Sequence, residues 1–292
     1  MNHHPILERA LAKVNLFLHV GPAMENGYHP LDSLVVFPRL ADQITISPAD
    51  DMSLSVSGPF APGLESGSEN LALRAAHALS EKLGIAPKLH ISLEKNLPIA
   101  SGIGGGSADA AATLRALLRF WQAELSDAAL NEIALKLGSD VPCCIASTPL
   151  RMSGVGEVLT KAPLLPPEIP MVMANAGTPL STAAVFKQFD RLEHARALQK
   201  HRFPDCGSMQ ALSHALASCR NDLEPAARAL CPDVNAVLLA LQALPRARLV
   251  RMAGSGGTCF ALFNTTLEAD AAARNLQSAE PKWWVQSTCA IQ

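Results

Sequence analysis

Val14, Leu16, Leu18 and Val20 alternate with Lys13, Asn15, Phe17 and His19 along the chain. That period of two predicts a strand with one apolar face. Asn26-Gly27 then marks a turn, because both residues tolerate positive φ. A second alternating run covers residues 31–37, and further short strands are expected around 44–46 and 54–56. Ser68 is placed to cap a helix over 69–83, with Gly84 as its terminator. Residues 89–93 alternate again and run through Leu97-Pro98 into the glycine-rich stretch Ser101-Gly102-Ile103-Gly104-Gly105-Gly106-Ser107. An alanine-rich helix over 108–121 follows. Ser126 caps another that ends at Gly138, and Ser139-Asp140-Val141-Pro142 reads as the turn just beyond. Downstream the pattern predicts a strand at 171–175, several helices, a strand–glycine turn–strand unit over 249–263, a helix at 267–278 and a strand at 283–287. This mixed order predicts an α+β protein rather than a regularly alternating parallel sheet. Four prolines between Pro163 and Pro170 mark the expected boundary between domains 1–163 and 164–292.

Composition narrows the function. Hydrophobic residues make up 49% of the 292 and charged residues 17%, which excludes disorder and assures a core. A net charge of -2 and only 4% aromatics argue against a nucleic-acid binder that neutralises phosphates and stacks bases. Seven cysteines without a C-x-x-C pair read as reduced thiols. Glu8 and Arg9 follow Ile6 and Leu7 directly, so no secretory leader is expected, and no apolar run reaches the ~18 residues of a membrane span. These features predict a cytoplasmic protein. Neither catalytic-zinc histidine spacing nor a G-x-S-x-G nucleophile elbow is present.

Four features carry candidate chemistry. Seven of the 18 glycines lie in two clusters, 102–106 and 254–257. The first sits between a strand and a helix, where converging N–H groups and a helix N-terminus suit a polyphosphate; a tight turn without ligand is the alternative. No lysine follows these glycines and the sixth position from Gly102 is Ser107, so neither a Walker A loop nor a dinucleotide fingerprint applies. Lys13 and Asn15 share a strand face and can present a cation and an amide to an anion, unless Lys13 is the solvated end of an edge strand. Asp140 is either a turn former or, against a cation such as Lys13, an ionised base. Gly27-Tyr28-His29 puts the single tyrosine beside a histidine at a turn, a stacking platform with a hydrogen-bonding partner.

Together these segments resemble the GHMP kinase superfamily. Residues 97–111 resemble its phosphate-binding motif, and Gly254-Ser255-Gly256-Gly257-Thr258-Cys259 its C-terminal glycine motif. Ala12-Lys13-Val14-Asn15-Leu16, Gly27-Tyr28-His29-Pro30-Leu31, Gly138-Ser139-Asp140-Val141-Pro142 and Gly154-Val155-Gly156-Glu157 resemble, in order, the branch acting on 4-diphosphocytidyl-2-C-methyl-D-erythritol, and the short Asn70-Leu71 and Asn221-Asp222-Leu223-Glu224 elements also fit. The resemblance implies a two-domain α+β fold, ribosomal-protein-S5-domain-2-like at the N-terminus and ferredoxin-like at the C-terminus, with the active site in the cleft. It implies ATP-dependent phosphorylation of that substrate's 2-hydroxyl in the non-mevalonate isoprenoid pathway, with Mg²⁺. Asp140 would accept the hydroxyl proton; Lys13 would keep Asp140 ionised and stabilise the transferring phosphoryl. Gly102, Gly104, Gly105, Gly106 and Ser107 would cradle the ATP phosphates, with Asn70, Lys95 and Pro98 at the nucleotide. Tyr28 and His29 would hold cytosine, and Asn15 and Thr182 the rest of the substrate. No residue is assigned to the metal. The chain departs from the family at Ala108, where a second serine is frequent, at Ser101, where Gly or Ala is frequent, and at Cys143-Cys144, where Phe-Phe is common. The implied partner is a small molecule, with no nucleic acid or membrane, acting on a monomer or homodimer. A kinase for another alcohol, such as mevalonate or a sugar, and a non-catalytic metabolite sensor are the alternatives.

Overall fold

The computed structural model describes residues 4–64, 67, 69–192, 197–198 and 203–291. The chain forms two compact units, each discontinuous in sequence. Unit 1 comprises Met1–Ala12, Leu40–Ile99 and Gly104–Ser147; unit 2 comprises Lys13–Arg39, Ala100–Ile103 and Thr148–Gln292. The proline-rich stretch at 163–170 therefore lies inside unit 2 and coincides with no border between the units. The strands at 14–20 and 31–36 are the reason: they pair with each other, and 31–36 pairs with 150–154, far along the chain.

In unit 1, β1 (Ile6–Leu11), β4 (Ala41–Pro48), β6 (Leu89–Glu94) and β5 (Ser53–Ser57) form a sheet in that order, with β5 parallel to β6. Here β2 and β3 are the unit 2 strands Val14–Val20 and Leu31–Val36. Strict alternation along β4 buries Asp42, Ile44 and Ile46 on one face. Helix α2 (Gly105–Phe120) lies against β1 and β4 of this sheet, and α1 (Leu71–Leu83) packs on α2, with α3 (Asp127–Leu137) and α4 (Val141–Ala146) completing the unit. Alanines 72, 75 and 76 of α1 and 108, 110, 111 and 112 of α2 are buried, and such small side chains allow close helix approach. Helix ends follow local chemistry. Ser126 caps α3 by accepting from the Ala129 N–H, and Gly84 closes α1 at φ 65°. The expected cap Ser68 lies outside the described residues; Asn70 caps α1, its side chain accepting from the Ala72 N–H at 3.0 Å.

Unit 2 holds two antiparallel sheets. One has the order β2-β3-β7-β8, with β7 at Leu150–Gly154 and β8 at Val158–Lys161. The other runs β10-β11-β9-β12, from Leu249–Met252, Thr258–Leu262, Glu168–Asn175 and Trp284–Ile291. Helices α5 (Thr182–Arg191), α6 (Met209–Ala217), α7 (Glu224–Leu230), α8 (Pro232–Gln242) and α9 (Thr266–Ala279) complete it. A core of Val172, Ala174, Val185, Phe189, Val237, Leu241, Met252 and Phe263 joins the second sheet to these helices, and Leu18 and Val20 of β2 enter the same cluster. The alternation read in β2 is broken: the register with β3 shifts between Asn15 and Phe17, a bulge at Leu16. Phe17 is consequently buried and stacks on Phe203, with ring centroids 5.6 Å apart. None of the helices among the described residues is long and apolar enough to cross a membrane.

Candidate active site

The expected site residues divide between the units. Unit 1 carries Asn70, Lys95, Pro98, Gly104, Gly105, Gly106, Ser107 and Asp140; unit 2 carries Lys13, Asn15, Tyr28, His29, Gly102 and Thr182.

The phosphate-loop candidates of unit 1 open α2, which begins at Gly105, three residues ahead of the expected helix. Gly104 occupies the N-cap at φ 68°, no side chain caps the helix, and its first turn holds no acidic residue. The N–H groups of that turn, with the positive end of a 16-residue helix behind them, are disposed to accept an anion. Ser107 is half-buried; a Cβ added at Gly138 would come within 4.0 Å of its Oγ, so this hydroxyl lies near the segment that leads to Asp140. Asp140 occupies the N-cap position of α4, a helix absent from the turn reading, yet its side chain makes no capping hydrogen bond. Half-buried, it is held by the Val141 N–H to Gly138 carbonyl and Cys144 N–H to Asp140 carbonyl bonds around it.

Lys95 is 3% exposed, and its ammonium donates to Asp42 Oδ2 and, at 2.7 Å, to Asp109 Oδ2. Asp42, wholly buried, also accepts the N–H groups of Asn96 and Leu97 through Oδ1, at 2.6 and 2.8 Å. One carboxylate thus ties the end of β6 to β4, while Lys95 ties both to α2. A Cβ added at Gly105 would sit 3.5 Å from Lys95 Nζ, so the ammonium lies directly beneath the first residue of the helix. Burial, reinforced by the charge of Asp42, pushes the Asp109 carboxyl up to about 7 despite the pull of Lys95. Sequence reading identified neither aspartate. The only signal was a charged residue at an inward position, in an alternating strand for Asp42 and an alanine-rich helix for Asp109.

In unit 2, the backbone N–H of Lys13 donates to the Ile103 carbonyl at 2.9 Å, which fixes the start of β2 against the loop. Lys13 is 4% exposed, so it is no solvated strand end. Asn15 donates through Nδ2 to Ser33 Oγ at 2.7 Å; its Oδ1 is buried and, among the described residues, accepts no hydrogen bond. That oxygen is an acceptor without a donor, which is costly unless a ligand provides one. His29 is buried against Phe186 and Phe189, with Nδ1 2.9 Å from the Gly21 carbonyl and Nε2 3.3 Å from Asp190 Oδ1. A carbonyl can only accept, so Nδ1 is the donor in its contact with Gly21. Tyr28 beside it is 60% exposed. Thr182 Oγ1 shares a hydrogen bond of 2.8 Å with Ser255 Oγ in the second glycine cluster.

Glycine at 102 and 254 serves backbone-to-backbone packing. A Cβ at 102, where φ is +75°, would lie 2.6 Å from the Ala253 carbonyl and from Gly256 N and O; one at 254 would lie 2.2 Å from the Gly102 carbonyl. The Thr258 N–H donates to the Ser101 carbonyl at 3.0 Å, closing the same contact. Gly102→Ala is expected to destabilise the protein by about 2–4 kcal/mol, from strained φ and overpacking together. Chemical denaturation measures it, and a loss below about 1 kcal/mol would show that the two turns can part.

The uncapped helix start with its glycine-serine loop and the half-buried aspartate of unit 1, and the buried lysine and amide of unit 2, are each of a kind that phosphoryl transfer to a small molecule can use. The GHMP kinases N terminal domain matches residues 70–148 and the GHMP kinases C terminal domain matches residues 195–282. The chain belongs to the GHMP kinase family, within the group of 4-diphosphocytidyl-2-C-methyl-D-erythritol kinases. It is 47% identical to the kinase of that name from Paramagnetospirillum magneticum over 94% of this chain and 95% of that protein. The kinase of that name from Paracoccus denitrificans is 48% identical, over 96% and 95% respectively. A crystal structure of 4-(cytidine 5'-diphospho)-2C-methyl-D-erythritol kinase matches with a TM-score of 0.79 and 32% identity, covering 98% of this chain and all of the other. Mevalonate kinase of L. major, in complex with R-mevalonate, has a TM-score of 0.70 at 17% identity over 98% and 95%, a likeness of fold.

Proposed function

We propose that the chain transfers the γ-phosphoryl group of ATP to the 2-hydroxyl of 4-diphosphocytidyl-2-C-methyl-D-erythritol, in the cytoplasm, as a step of isoprenoid precursor synthesis. The observation that carries this reading is the near-full-length identity of 47% to relatives bearing that activity in their name. In this reading the N–H groups of Gly104, Gly105, Gly106 and Ser107 hold the ATP phosphates, and Gly102 serves the loop by locking it in place. Asn70 and Pro98 flank the nucleotide, and Lys95 contributes through the loop it supports. Asp140 takes the proton of the attacking hydroxyl, and Lys13 offsets charge on the transferring phosphoryl. Phosphoryl transfer demands little beyond such positioning and charge stabilisation.

Among the described residues no group of three or more His, Cys, Asp or Glu side chains could cage a metal ion. That suits Mg²⁺, which keeps waters and phosphate oxygens as ligands and needs few from protein. When bound with ATP it supplies neutralisation of phosphate charge; no protein ligand is assigned to it.

For the acceptor, the exposed Tyr28 ring stacks on cytosine, and the buried His29 sets its direction. The unpartnered Asn15 Oδ1 accepts from a substrate hydroxyl, and Thr182 lies at the remainder of the substrate. Tyr28→Ala is expected to raise KM for the cytidylyl substrate by about 5–100-fold, the worth of one stacked base, with KM for ATP within about twofold. Steady-state kinetics in both substrates decide this, and an equal rise in both KM values would remove Tyr28 from the acceptor site. The reading as a whole is tested by coupled ADP release, with the cytidylyl substrate beside mevalonate, galactose and homoserine. Turnover of the first alone is the expected result; preference for another alcohol, or none with any, would overturn it.

A further inference from the structure

Arg251 lies on β10 with 6% of its surface exposed, and it forms no ion pair among the described residues. Among the described residues its guanidinium donates only to backbone carbonyls: Nη1 to Leu16 at 2.6 Å, Nη2 to Leu216 at 3.0 Å and Cys219 at 2.6 Å. Taking a cation out of water costs several kcal/mol, and carbonyl partners return less of it than a carboxylate would. Leu16 is the bulged residue of β2, left over where Asn15 pairs with Val35 and Phe17 with Leu34. A bulge re-aims the side chains on either side of it. Lys13 and Asn15 are the residues on one of those sides.

The strand is held from the same quarter by Asn221-Asp222-Leu223-Glu224, a motif to which no role has yet been attached. The Leu18 N–H donates to the Arg220 carbonyl at 3.0 Å, and the Asp222 N–H to the Leu18 carbonyl at 2.8 Å. Asp222 Oδ2 accepts from the Val20 N–H at 2.9 Å. Asn221 Nδ2 donates to the Met252 and Gly254 carbonyls, both at 2.8 Å. The bulged strand, the 216–222 segment and the second glycine turn are therefore one hydrogen-bonded frame with Arg251 inside it.

We propose that Arg251 is a positioning residue for phosphoryl transfer, clamping the Leu16 carbonyl so that the β2 bulge aims Lys13. This rests on the role given to Lys13 under the proposed function. Lysine cannot reproduce the fork: one ammonium in place of two nitrogens on three carbonyls leaves at least one unheld.

The test compares the full-length wild type with Arg251→Lys, Arg251→Met, Lys13→Met and the double variant Lys13→Met/Arg251→Lys. The readouts are ADP release in both substrates and nucleotide binding by fluorescence titration. Arg251→Lys is expected to lower kcat by about 10–100-fold, the usual consequence of a displacement near 1 Å, with both KM values and nucleotide affinity within about threefold. Arg251→Met should lose at least as much, where it folds, and added guanidinium ion should restore part of its kcat. The double variant should be no slower than Lys13→Met alone, because a misaimed lysine that is already absent costs nothing more. A folded Arg251→Lys with wild-type kcat overturns the proposal, as does a further loss in the double variant. Wild-type turnover in Lys13→Met instead overturns the role of Lys13, whatever Arg251→Lys does.

Discussion

Asp140→Asn is expected to lower turnover by about 10²–10⁴-fold while the protein folds and binds ATP as before. The loss corresponds to roughly 3–5 kcal/mol of barrier, the span associated with removing a positioned general base. The site is well arranged for so clean a result. Asp140 stands at the N-cap position of α4 without a capping hydrogen bond from its side chain. Its backbone carbonyl accepts the Cys144 N–H, and that bond survives the substitution. The amide matches the carboxylate in size and keeps one carbonyl oxygen, but cannot take a proton at neutral pH. ATP affinity should hold within about threefold, because the substitution leaves the backbone N–H donors at the start of α2 in place. Single-turnover transfer beside nucleotide titration separates the two steps. Near-normal transfer by a folded variant would leave Asp140 as a turn former and move the base elsewhere.

Elements whose cause is local were legible in the sequence. Period-two runs became β2, β3 and β6, Ser126 capped α3, Gly84 ended α1, and the 249–263 unit became β10 and β11 around its glycine turn. What escaped depends on distant partners. The sheet that holds β2 requires β7 and β8, and Leu34 meets Arg151 across 117 positions of chain. The bulge at Leu16 is invisible to an alternation count, because it is fixed by Arg251, 235 positions away. Helix α4 is six residues long, too short to leave a period.

The candidate site divides the same way. Motif order proposes Lys13, Asn15, Asp140 and the glycine loops, since their chemistry is carried by residue type. What each glycine does was not legible. Gly104 at an uncapped helix start leaves the N–H groups open, whereas Gly102 and Gly254 are kept small by each other's backbone. Nor is it legible that the two nitrogens of His29 meet the Gly21 carbonyl and Asp190.

Lys95→Met should cost the largest share of stability of any single change in unit 1, about 3–5 kcal/mol, because it strands two buried carboxylates without their cation. For a chain of this size that lowers Tm by about 6–15 °C. The methionine fills the same volume, so the penalty reports charge rather than a cavity. Its pH dependence gives the argument a second handle. In the wild type, burial raises Asp109 from 3.8 to about 7, so the folded protein holds a proton that the unfolded chain releases between those values. The Asp109 contribution is therefore fully present below about pH 4, declines as pH rises, and is gone above about 7. Without Lys95 the Asp109 carboxyl prefers the protonated state more strongly, so the variant should regain part of its Tm on acidification from about pH 8 to 5. Asp109→Asn makes the opposite case: it keeps the Lys95–Asp42 pair, removes the titrating group, and should flatten that pH slope with a small change in Tm. Thermal unfolding of the three proteins across this range decides the matter. A Lys95→Met variant within about 2 °C of wild type at pH 8 would mean that the two aspartates reach water or other donors. The loop at Gly105 would then rest on something other than the ammonium beneath it.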